Sequence, residues 1–202
     1  MNNITFKQYR NIDLSIIAIL LVISETITTI ATNKWFYAQP IAITTTFLFI
    51  CIGMMRWSGF STIYAILGGL VFCIASGANP EQYLIYIVGN LFTLLSLLWF
   101  IPFKKEDVRK GGFKLVLFTV SAYLMMQVGR WIVALFFGAG FSDLIGFLTS
   151  DIITLLFGVV LMFVLRNVDG MIEDQKAYLF RLQREREAEN AAPTELGWGE
   201  ED

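Results

Sequence analysis

Polar and charged residues fall into short clusters that separate long apolar runs near residues 14–32, 38–55, 59–78, 82–102, 113–137 and 146–165. Each run is long enough, at about 1.5 Å per helical residue, to cross a hydrocarbon core of roughly 30 Å. The pattern predicts an all-α integral membrane bundle of six transmembrane helices. The connections, 33–37, 56–58, 77–81, 104–112 and 138–145, are short, so successive helices run antiparallel.

Lys and Arg are retained on the cytoplasmic side of short loops, which tests the topology and orients it. Thirteen of the fifteen fall on one side: Lys7, Arg10, Arg56, Lys104, Lys105, Arg109, Lys110, Lys114, Arg166, Lys176, Arg181, Arg184 and Arg186. Lys34 alone is on the other side, and Arg130 lies within a run. Both termini are expected in the cytoplasm of a prokaryotic cell membrane.

Composition strengthens the membrane reading: 56% of residues are hydrophobic, 16% are charged and mean hydropathy is +0.63. A net charge of −2 speaks against a nucleic-acid surface, and the absence of His removes the commonest metal ligand and general base. No nucleophile–base pair, metal set or cofactor motif is visible, so neither an enzyme nor a cofactor is expected. Cys51 and Cys73 sit in apolar runs at different depths and read as small buried side chains. The basic N-terminus precedes an apolar run without a small-residue cleavage site, and the run reads as a retained first span.

An ionisable group in hydrocarbon costs a few kcal/mol, so Glu25, Arg130 and Asp151 are candidates by position. Counting from the span ends puts all three about 8 to 11 Å beneath the outer surface. Helical spacing extends the level: Glu25 with Thr28 or Thr29 and Thr32; Tyr83, Tyr86, Asn90 and Thr93; Tyr123, Gln127 and Arg130; Asp151 and Thr154; and Thr44-Thr45-Thr46.

Two readings are open. In one, Arg130 pairs with Glu25, Asp151 or both, and the hydroxyls and amides join helices internally. In the other, Glu25, Thr29, Asn79, Tyr83, Asn90, Gln127, Arg130 and Asp151 line a pocket open to the outside, with Trp35, Phe36, Tyr37 and Trp131 near its mouth. Ala65, Gly68 and Gly69, and Gly89 with Thr93, mark close helix contacts.

The membrane domain ends near residue 166. Residues 167–190 alternate charge with Val168, Met171, Ile172, Tyr178, Leu179 and Leu182, which predicts a cytoplasmic amphipathic helix growing out of the sixth span. It is read either as a solvated extension or as a docking helix for a partner or the membrane surface. Residues 191–202, which hold Pro, Gly and acids without a period, predict a disordered tail.

Six short-looped spans with both ends inside and a polar level in the outer half resemble the substrate-binding S component of energy-coupling-factor (ECF) vitamin transporters. The resemblance covers residues 1–166 and rests on span layout. It implies a subunit that captures a vitamin or similar micronutrient from outside, working with a membrane coupling subunit and cytoplasmic ATPases. It also implies a pocket at 33–39, 79–86, Arg130, Trp131 and Asp151. The Ala-x-x-x-Ala pair that many members carry in the first helix is absent: Ala18 is flanked at four residues by Leu14 and Val22. The six-span size is also similar to the rod-shape-determining MreD class of cell-envelope scaffolds, which bind proteins.

Overall fold

The computed structural model describes residues 5–36 and 41–191. Tyr37, Gln39 and the expected tail beyond Ala191 lie outside the described residues. Among the described residues the protein is all-helical, without strands. Helix α1 (Phe6–Trp35) starts at a capping box, in which Thr5 Oγ1 accepts from Gln8 N and the Gln8 side chain accepts from Thr5 N. It buries Leu14, Ile17, Leu21, Glu25, Thr29 and Thr32 along one stripe, and points Ile12, Ile16, Ile19, Ile23 and Ile27 outward, each more than half exposed. An isoleucine face of that length is at home in lipid and not in water.

Four helical runs are long and apolar enough to cross a membrane: Phe6–Trp35, Thr46–Ser76, Pro80–Phe100 and Gly112–Leu135. The second is a hairpin of α2 (Thr46–Trp57) and α3 (Thr62–Ser76), reversed at a one-turn 3-10 segment, Ser58–Ser61, which begins with φ 52° at Ser58. Gly53 faces the Tyr64 ring and Gly68 faces Thr46, contacts that only antiparallel packing allows. Helix α4 (Pro80–Leu91) continues as a 3-10 segment, Phe92–Phe100, and short α5 (Lys105–Lys110) leads to α6 (Gly112–Leu135). Helices α7 (Phe141–Ser150) and α8 (Ile152–Leu165) meet at a 46° bend and together make a fifth run. The core gathers Phe47, Ile50, Met54, Tyr64, Phe118, Tyr123, Met126 and Met162 around α6.

Three elements differ from the sequence expectation. The second helix begins at Thr46, not near residue 38, and 41–45 are non-helical because their polar groups bond elsewhere, as described below. The last apolar run is broken at Asp151. The arm does not grow straight out of α8. Residues 166–174 form turns, with Gly170 at φ +69°, and α9 (Gln175–Ala191) restarts where Asp174 Oδ1 accepts from the backbone N–H groups of Lys176 and Ala177. Cys51 and Cys73 are free and buried, as expected.

Candidate functional site

Glu25 is completely buried, and its carboxylate is saturated by hydrogen-bond donors rather than by a cation. Oε1 accepts from Thr44 Oγ1 at 2.8 Å and from Thr29 Oγ1 at 3.5 Å. Oε2 accepts from Thr45 Oγ1 at 2.8 Å and from the Thr46 backbone N–H at 2.7 Å. The Thr46 N–H belongs to the first turn of α2, so the carboxylate also meets the positive end of that helix dipole. The threonine run acts as a carboxylate cradle, and this use of its hydroxyls and backbone is what delays the start of α2.

Arg130 forms the second cluster with residues of α4, α6 and the α7–α8 junction. Its NH1 lies 2.5 Å from Asp151 Oδ2 and 3.3 Å from Gln127 Oε1. Nε and NH2 both donate to Asn90 Oδ1, at 3.1 and 2.9 Å. Gln127 Nε2 donates to the same Asp151 oxygen at 3.1 Å, and the guanidinium lies 4.7 Å from the centre of the Tyr86 ring. Arg130 and Asp151 are each 2% exposed. The close approach of α4 and α6 depends on glycine: a Cβ at Gly89 would lie 2.7 Å from Arg130 Cα, and one at Gly129 would lie 2.7 Å from Gly89 O.

Thr44 joins the two clusters. Its hydroxyl serves Glu25, while its backbone N–H donates to Thr154 Oγ1 at 2.9 Å, one turn beyond Asp151. Two residues earlier, Ala42 N donates to Ser150 O at 3.1 Å. The non-helical segment before α2 therefore lies against the break between α7 and α8. Tyr123 of α6 closes the same junction by donating to Leu148 O at 2.8 Å.

Glu25, Thr29, Asn90, Gln127, Arg130 and Asp151 thus come together as two adjacent clusters, with Glu25 outside the Arg130 ion pair. The other expected site residues lie apart from them. Asn79 caps α4 by accepting from Gln82 N at 3.0 Å, Tyr83 is half-buried one turn on, and Trp35 is 77% exposed. Trp131 donates to Gly140 O at 3.0 Å and stacks edge-on with Phe141.

At the opposite end of α1, Asp13 organises a cluster that the span-by-span reading passed over because Asp13 falls just before the first apolar run. Its carboxylate accepts from Arg56 Nε at 3.0 Å, Arg56 NH2 at 2.6 Å and Trp57 Nε1 at 2.5 Å. Arg56 NH1 then donates to the carbonyls of Gly170 and Met171, and Tyr9 donates to Gln175 Oε1 at 3.0 Å. Arg109–Glu173, at 3.3 Å, and Lys105–Asp174, at 2.7 Å, add two ion pairs between α5 and the arm. The available signal was an acid and a cation flanking successive apolar runs at the same end of the bundle.

Comparison with protein families, curated proteins and solved structures finds no match to this chain. Its class is therefore defined by fold alone: an all-helical protein with several helices apolar enough to span a membrane.

Proposed function

We propose that this protein is a membrane-embedded solute-binding subunit that captures a small polar micronutrient, such as a vitamin, from the outer side for uptake driven by partner ATPases. The reading includes six crossings, with α2 and α3 as separate spans and both termini in the cytoplasm. The observation that carries it is the meeting of the non-helical segment 41–45 with the break between α7 and α8 at Asp151, beside two buried charge clusters. Non-helical backbone at membrane depth is tolerated where protein buries it or it lines a cavity, and broken helices commonly mark transporter binding sites. Buried hydroxyls without a hydrogen-bond partner, Thr46 Oγ1 next to Glu25 and Thr93 Oγ1 one turn from Asn90, leave bonding capacity at this level. The ligand engages Asn90, Gln127, Arg130 and Asp151, with α7 moving at the Asp151 break to admit it.

A panel of water-soluble vitamins tested by thermal shift on the purified full-length chain decides the matter. A ligand should raise the melting temperature of wild type and lose its effect in Asn90→Ala, which leaves the Arg130–Asp151 pair in place. Absence of any stabilising solute would sink the transport reading.

A second reading, a non-catalytic envelope scaffold, is favoured by the arm, which is tied to the bundle by Arg56 donating to the Gly170 and Met171 carbonyls and by the Arg109–Glu173 and Lys105–Asp174 pairs. It predicts that removing residues 168–202 abolishes capture of a partner protein.

A further inference from the structure

A recess of about 250 Å³ opens at the arm end of the bundle, lined by Arg109, Lys110, Arg166 and Asn167. We propose that it binds the phosphate group of an anionic ligand. Cations from two elements, α5 and the end of α8, converge there, and no carboxylate lines it. Lys110 is partly neutralised by Glu106 at 2.6 Å and Arg109 by Glu173 at 3.3 Å. Arg166 has no acidic partner among the described residues and rests on the Phe163 ring, with its guanidinium carbon 3.8 Å from the ring centre. Arg109 Nε is buried and lacks an acceptor.

The neighbourhood concentrates positive charge further. The Arg166 guanidinium packs against Gly112, the first residue of α6, whose first turn has neither an acidic residue nor a side-chain cap. A guanidinium set against a positive helix end is unfavourable until an anion lies between them. A phosphate oxygen can accept from Arg166, Arg109 and Lys110 together, and Asn167 adds an amide donor. Phe163, 43% exposed and in contact with Arg166 and Gly112, offers apolar surface beside the recess that suits an acyl chain. A phospholipid headgroup and a free phosphate share this chemistry, and basic recesses between helices on the cytoplasmic side are typical headgroup sites.

The test measures unfolding of the full-length protein in nanodiscs of phosphatidylcholine alone or with phosphatidylglycerol, and in detergent with added inorganic phosphate or pyrophosphate. Stabilisation by phosphatidylglycerol with no effect of free phosphate identifies a lipid site; the reverse identifies a soluble phosphate. Either way, Arg166→Gln should weaken the effect by about tenfold in ligand concentration, the value of one charge-assisted contact. Lys176→Gln, a cation outside the recess, should leave it unchanged. No stabilisation by either source, or equal stabilisation of wild type and Arg166→Gln, overturns the proposal.

Discussion

Arg130 NH1 and Asp151 Oδ2 lie 2.5 Å apart, with side chains only 2% and 3% exposed, so each charge depends on the other. Removing one partner strands a buried charge, which costs about 3–5 kcal/mol, whereas replacing both by apolar groups of similar volume is often nearly neutral. Arg130→Met and Asp151→Leu should each lower thermal stability sharply, and the double variant should recover much of the loss. Unfolding of the four proteins in detergent checks this; a double variant as unstable as the sum of the singles would mean that Asn90 and Gln127 carry the network instead.

Glu25 accepts hydrogen bonds on both oxygens. Glu25→Gln keeps the shape but turns an NH2 group toward either the Thr44 side or the Thr45 and Thr46 donors. It should destabilise by about 1–3 kcal/mol, the cost of an unmet buried donor, and Thr44→Val should cost about 1 kcal/mol. Equal stability of wild type and Glu25→Gln by thermal unfolding would contradict the donor-lined cradle.

The apolar runs were legible because the length and hydropathy of a lipid-facing helix are written in every residue, as in the outward isoleucines of α1. So was the polar level, since Glu25, Arg130 and Asp151 interrupt those runs. The pairing was not legible. Hydropathy treats Thr44, Thr45 and Thr46 as mild members of an apolar run, although their hydroxyls and one N–H satisfy Glu25 and so fix where α2 starts. The same blindness hid the break at Asp151, where apolar residues continue on both sides. The turn before α9 had a readable signal, Asp169-Gly170, which the helical reading of the arm overrode.

Close packing of α4 on α6 makes two glycines intolerant of side chains. Gly89→Ala would push a methyl group against the Arg130 backbone, and Gly129→Ala would press on Phe92 and Gly89 O, so overpacking of about 1–3 kcal/mol is expected at each. Gly146→Ala, where nothing lies within 4 Å, should be neutral or slightly stabilising. Thermal unfolding that ranks Gly146→Ala with the other two would contradict the helix contact.

The Asp13–Arg56 pair controls the arm more than the visible surface ion pairs do. Arg181 pairs with Asp169 at 2.9 Å, but these side chains are 39% and 67% exposed, so salt screens them and they contribute little. Arg56 is only 9% exposed, and it links Asp13 of α1 to the Gly170 and Met171 carbonyls, so its bonds persist in salt. Arg56→Met removes the link while keeping the length of the side chain. It should speed tryptic cleavage after Lys176, at the start of α9, several-fold, whereas Arg181→Met should change it little. In 0.5 M salt wild type should remain protected. Cleavage that rises with salt in wild type would mean that the exposed pairs hold the arm, and cleavage unmoved by Arg56→Met would mean that Arg109–Glu173 and Tyr9–Gln175 hold it instead.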